Sequence, residues 1–253
     1  MISYLIVCPL LFLAGLVDSI AGGGGLISLP AYVFTGIPMH LAIGTNKLSS
    51  TMGTTISTAR YLKNGYIRGG TMIRIALLSV VASLAGSTIG SSLSMRMSEQ
   101  VLKNLMIPIL LVTAFYVLRN KNLGDVTARK PLSDVLTTLV AIAAAFVIGT
   151  YDGIYGPGTG TFLILVLTGV AHLEIRKAAA LTKVINLASN VAALTNFLIN
   201  GNVNYRLGLV AGCFCIAGNY LGAGLVIHNG QRFVRPLVMV VLVILFIKII
   251  SGM

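Results

Sequence analysis

The feature that most constrains this chain is a series of long stretches without a single acidic or basic residue: 1–17, 19–46, 75–95, 104–118, 135–151, 184–205, 207–231 and 236–247. A spanning helix needs about 20 apolar residues, with a lower limit near 17, so most of these stretches are candidates to cross a bilayer. Hydrophobic residues make up 56% of the 253 and charged ones 9%, which excludes an ordinary soluble domain. The net charge of +12 does not point to nucleic acid, because the bases lie between apolar runs instead of forming a stripe beside stacking aromatics. No Lys or Arg precedes Lys47, so the first apolar run lacks the basic start of a signal peptide and reads as a retained helix. Cys8, Cys213 and Cys215 are scattered through apolar segments, a pattern of packing residues that offers neither a disulfide framework nor a metal site. No cofactor motif accompanies them.

The chain also repeats itself. Asp18, Gly22–Gly25, the run Gly44-Thr45-Asn46-Lys47 and the run Arg60-Tyr61-Leu62-Lys63-Asn64-Gly65 are answered by four later elements. These are Asp152, Gly156-Pro157-Gly158-Thr159-Gly160, Ala180-Leu181-Thr182-Lys183 and Asn196-Phe197-Leu198-Ile199-Asn200-Gly201. Gly86 and Gly90 match Gly218 and Gly222, and 99–103 matches 231–235. The expected fold is therefore an all-α polytopic membrane protein of two five-segment repeats, an N-terminal one over 1–118 and a C-terminal one over 132–253, joined by a basic cytoplasmic linker at 119–131. Helical segments are expected near 2–18, 25–36, 41–63, 71–94 and 99–118, then near 133–151, 159–170, 175–200, 205–227 and 232–250. The two short ones follow glycine breaks, so eight full crossings with two broken or re-entrant pieces is one count the pattern allows.

Loop charge sets the expected orientation. Arg60, Lys63, Arg68 and Arg74 place the loop after the third segment on the cytoplasmic side, whereas the matching loop of the second half keeps only Arg206. Bases appear instead at Arg176, Lys177, Arg232 and Arg235, so opposite loops of the two halves are the basic ones and the repeats are expected to be inverted, with both termini outside the cytoplasm.

In inverted-repeat carriers, paired short segments interrupted by glycine mark the substrate site. The candidates are Gly22, Gly23, Gly24 and Gly25 with Gly156, Gly158, Thr159 and Gly160, where an unwound backbone and a restarting helix offer unpaired N–H groups and a positive dipole end to an anion. Glycines can equally serve close helix packing, which is the expectation for Gly86, Gly90, Gly218 and Gly222. Lys47 and Lys183 each interrupt an apolar stretch at the same place in the repeat. A retained charge at such a depth faces a cavity or a partner, so the lysines either build an electropositive pocket or pair with their own half's Asp18 or Asp152 as a coupling or structural ion pair. Asn46, Ser50, Thr182 and Asn186, with Thr45, Ser49, Ser189 and Asn190, share faces with the lysines and serve either an oxyanion or helix–helix contact. His40 and His172 occupy matching loop ends and read as interfacial residues.

These motifs resemble the TauE/SafE family of sulfite exporters, also called toluenesulfonate uptake permeases, over essentially the whole chain. The resemblance implies a multi-pass protein of the inner (plasma) membrane, working as a homodimer on small sulfur-containing or organic anions, with no nucleic-acid partner. Pro157 and Thr159 stand where the first half has glycine, and Leu181-Thr182 where it has Thr45-Asn46, so an asymmetric pocket is expected. No phosphate loop is present, so a secondary transporter is the first reading and a passive anion channel its close alternative. An intramembrane enzyme lacks a nucleophile motif or paired carboxylates, and an assembly subunit leaves two buried lysines without purpose.

Overall fold

Exposed leucine and buried serine set the architecture. In a computed structural model describing residues 2–105, 108–109 and 132–229, Leu77, Val81, Leu139, Val147, Leu209 and Phe214 face outward, while Thr45, Lys47, Ser83, Ser87, Lys183 and Asn219 are buried. A chain that turns its apolar side chains out and its polar ones in is built for a lipid solvent, where polar groups must find partners inside the protein.

Eight helices carry this pattern: α1 (Ile2–Ala21), α2 (Gly25–Val33), α3 (Met39–Lys63), α4 (Gly70–Arg96), α5 (Asp134–Ile154), α6 (Thr159–Gly169), α7 (Ile175–Ile199) and α8 (Tyr205–Asn229). Residues 99–105 are also helical. Among the described residues there is no strand. The linker at 119–131, the segment expected at 232–250 and the bases Arg232 and Arg235 lie outside the described residues. Among the described residues five helices, α1, α4, α5, α7 and α8, are long and apolar enough to cross a membrane. The 25-residue α3 matches α7 in length, but Lys47, Arg60 and Lys63 with its many hydroxyls make it too polar for that set. At about 1.5 Å per residue, α2 and α6 reach only about 14 and 17 Å, roughly half of the hydrocarbon core.

Local chemistry explains the ends. Both α3 and α7 stop at an Asn-Gly pair, with Gly65 at φ 73° and Gly201 at φ 69° and the same two closing bonds, Asn64 N–H to the Arg60 carbonyl and Asn200 N–H to the Asn196 carbonyl, each 3.2 Å. Ser133 caps α5 by accepting from the Leu136 N–H at 3.4 Å.

The packing is unchanged when the halves are exchanged. The first helix of each half lies against the fourth of the other, α1 on α8 and α5 on α4, while α3 contacts α7 and α8 just as α7 contacts α3 and α4. The small residues that recur between the halves make close approaches. A methyl at Gly218 would overlap the Phe12 carbonyl, and one at Gly90 the Thr150 carbonyl. Hydroxyls tie the helices where no glycine does. Ser83 and Ser87 of α4 donate to the Ile185 and Ser189 carbonyls of α7 at 2.9 and 2.6 Å, and Tyr61 of α3 donates to the Ser19 carbonyl of α1 at 3.0 Å.

Candidate functional site

Each short helix follows a break that turns the chain back on the helix before it. Gly22, at φ 74°, ends α1 with its N–H on the Asp18 carbonyl at 2.8 Å, and Gly24 then lies against Asp18 and Ala14. In the second half Gly156 and Gly158 take φ 98° and 85°, and the Tyr151 hydroxyl donates to the Pro157 carbonyl at 2.6 Å. The breaks of the two halves meet. A Cβ at Gly22 would overlap the Gly160 backbone, a Cβ at Gly160 would sit 2.5 Å from the Gly22 Cα, and one at Gly25 would be 3.0 Å from the Pro157 Cα. Neither α2 nor α6 has a side-chain cap, so two helix N-termini, each carrying a partial positive charge, point into the same place.

Four charges surround that junction, and they pair across the halves. Lys47 Nζ lies 2.8 Å from Asp152 Oδ2, and Lys183 Nζ lies 2.8 Å from Asp18 Oδ2. This corrects the same-half pairing of the sequence reading: each lysine reaches past its own aspartate because the two breaks interlock. It also corrects the electropositive pocket, since the two ammonium and two carboxylate groups sum to zero and the net positive potential is left to the helix ends. The surroundings of the pairs differ. Lys47 also donates to Asn190 Oδ1 at 3.1 Å, and the Thr159 hydroxyl donates to Asp152 Oδ1 at 2.8 Å. Asp152 Oδ2 faces Lys47 out of hydrogen-bonding line, so that contact is ionic. Lys183 donates to both Oδ2 and the backbone carbonyl of Asp18. The carboxylate of Asp18 is 14% exposed, against 3% for Asp152.

A cavity of about 30 Å³ lies between the pairs. At roughly 10–15 Å³ per water, it has room for about two waters or one small anion. Of the residues expected at the site, Gly22, Gly24, Gly25, Asn46, Lys47, Ser50, Asp18, Asp152, Gly156, Thr159, Gly160 and Asn186 line it. Gly23, Gly158, Thr182 and Lys183 do not. Gly23 packs on Val17 and Leu26, and Lys183 stands behind Asp18. The hydroxyl-rich faces divide in the same way. Thr45 accepts from the Asn204 N–H at 2.9 Å and Ser49 from the Tyr32 hydroxyl at 2.9 Å, so these two hold helices together. His40 bonds the Ser94 carbonyl at 3.1 Å through Nε2, a helix-end contact.

Sequence reasoning missed Ala14, Ser28 and Thr54, which also line the cavity. Cys215, packed in the apolar core as expected, also borders the cavity. Ser28 Oγ and Asn46 Oδ1 are buried there without a hydrogen-bond partner, which leaves one hydroxyl able to donate and one amide oxygen able to accept from an occupant. Only the position of Ser28, one helical turn after Gly24, carried a signal.

A helical bundle with an apolar exterior, a polar interior and two interlocked breaks around a small charged cavity defines a membrane transporter. The chain belongs to the sulfite exporter TauE/SafE family, whose sequence profile matches residues 7–249. It is 35% identical to the probable membrane transporter protein ORF9 of Sinorhizobium sp, over 95% of this chain and 89% of that one. It is 33% identical to a probable membrane transporter protein of Haemophilus influenzae, covering 90% and 87% of the two chains. Identity to the probable membrane transporter protein YfcA of Escherichia coli (strain K12) is 28%, covering 99% and 91%. No solved structure gives a significant match.

Proposed function

We propose that the chain is a secondary transporter that moves a small anion, of the sulfur oxyanion or short organosulfonate class, across the inner membrane. Two copies of one fold in opposite orientations rock about the paired breaks, and the anion sits against the N-termini of α2 and α6. The observation that carries this reading is the convergence of both N-termini, Ser28, Asn46 and the two ion pairs on one cavity. Oriented N–H groups and a dipole end bind an anion without a free cation. A cavity of about 30 Å³ fits an ion of a few heavy atoms and is too small for a bulky aromatic sulfonate. The name of the matched family supplies the sulfur chemistry. Each aspartate is ion-paired with a lysine of the other half.

The test is flux in reconstituted vesicles, with sulfite, thiosulfate, methanesulfonate and taurine as probes. At least one is expected to show saturable uptake and to accelerate when the same anion is trapped inside, as a carrier requires and a channel does not. Lys47→Met is expected to lower that flux at least tenfold. Full flux in the Lys47→Met, Lys183→Met double variant rejects the site.

A further inference from the structure

The charge sum of the cavity raises a problem that the anion reading leaves unsolved. Two of its lining side chains, Asp18 and Asp152, are carboxylates, the wrong sign for an anion's neighbours, and the four buried charges already cancel. A monovalent anion entering this site faces both carboxylates and makes a buried cluster of net charge −1 that must then cross the lipid. The two carboxylates are not equivalent. Asp152 has Oδ1 on the Thr159 hydroxyl and Oδ2 in ionic contact only with Lys47, and its side chain is 3% exposed, shut off from water. Asp18 has its Oδ2 on Lys183, lines the cavity and is 14% exposed. Lys183 has a second hold on the backbone carbonyl of Asp18, so it keeps its place whatever the state of the carboxylate.

We propose that Asp18 is the proton-carrying group of this site, taking up one proton for each monovalent anion that binds, so that the chain works as an electroneutral proton–anion symporter. The proposal rests on the anion-carrier reading and adds the coupling ion to it. The balance is simple. The empty site holds two ammonium and two carboxylate groups and is neutral. A proton from water on one face moves onto Asp18, which becomes a carboxylic acid, and the site is +1. The anion then enters and restores neutrality. In this state the Asp18 hydroxyl donates to the anion in place of repelling it, and the Lys183 ammonium behind it supplies the countercharge. Both ions leave together on the other face. The other titratable groups facing Asp18 are Lys183 from α7, Tyr61 from α3 and Cys215 from α8, with the Lys47–Asp152 pair across the cavity. Gly24, just before α2, lies against Asp18, and the Thr159 hydroxyl of α6 lines the same cavity. Of the two carboxylates an anion meets, Asp18 is the one with the greater exposure, 14% against 3%.

The experiment uses the full chain in vesicles that hold a trapped pH dye, with sulfite and methanesulfonate as probes. Methanesulfonate is the anion of a strong acid and brings no proton of its own. With the outside one pH unit more acidic, the transported probe is expected to accumulate about tenfold, the ratio for one proton per anion. The dye should report matching proton entry, and clamping the membrane potential should leave uptake unchanged. Asp18→Asn is expected to lose the pH-driven accumulation. Infrared difference spectra of the purified chain supply a second readout that needs no flux. A protonated-carboxyl band should grow on probe binding, vanish in Asp18→Asn and move in Asp18→Glu. Probe flux that still needs Lys47 but carries no proton, or that follows the potential, overturns the symport while leaving the carrier reading standing. A carboxyl band unmoved in Asp18→Glu overturns the assignment to Asp18, and the absence of flux and of binding for both probes overturns the reading beneath it as well.

Discussion

Lys47 is 1% exposed in the middle of a helix, and an ammonium group so placed exists only because Asp152 and Asn190 receive it. The arrangement is weak as a source of stability, since removing two ions from water costs about what their attraction returns, but breaking it from one side is expensive. Lys47→Met is therefore expected to destabilise the protein by about 3 kcal/mol, because Asp152 is left as an unpaired buried carboxylate. Adding Asp152→Asn removes that charge and keeps an acceptor for the Thr159 hydroxyl, so thermal stability in detergent should largely return while anion flux does not. A double variant as unstable as Lys47→Met means that packing of the lysine stem, and not its charge, is what the site needs. The partner of Lys47 was not legible in the chain. Position in the repeat marks both lysines and both aspartates as a set, but linear spacing carries no information on which of them meet once two breaks interlock. Cys215 was hidden for a related reason: it sits in an apolar run with no sequence break beside it.

At the level of the helices, the four glycines at 22–25 are not interchangeable. Gly22 has φ 74° and its Cα approaches the Gly160 backbone, so an added methyl meets both backbone strain and the opposite half. Gly23 would meet nothing closer than side-chain atoms at 3.6 Å. Gly22→Ala is expected to abolish transport and to lower the thermal midpoint in detergent by several degrees, whereas Gly23→Ala should leave both within error; equal effects would mean that the interlock is not what the glycine run serves. Helix positions were readable in advance, since apolar runs, Asn-Gly stops and glycine breaks each act over a few residues. The break α1–α2 lies within a few residues of its expected place, with Asp18 in the last turn of α1 and not at its end. Which glycine touches the other half depends on the tertiary fold, and the run of four disguises it.

Across the molecule, the exchange of contacts between halves has a consequence for orientation. We propose that the halves, which exchange the contacts of α1 on α8 and α5 on α4, are related by a two-fold axis in the plane of the membrane, the arrangement that bases on opposite loops of the two halves favour. The Asn-Gly stops after α3 and α7 then emerge on opposite faces. Arg60 supports the asymmetry of those faces: at the end of α3 it lies 4.2 Å over the Tyr220 ring and donates to the Tyr220 carbonyl, whereas its repeat counterpart Asn196 donates to Ser91 and Ser92 at 2.9 and 3.0 Å. A cation is thus retained at one end of the pair and a neutral amide at the other, as the cytoplasmic preference for bases requires. The check is cysteine labelling in a background where Cys8, Cys213 and Cys215 are replaced by serine. In right-side-out vesicles an impermeant maleimide is expected to reach Asn200→Cys and not Lys63→Cys, and inverted vesicles should show the reverse. Labelling of both positions from one face would make the halves parallel, and the shared cavity would then need a different account of how its two sides open in turn.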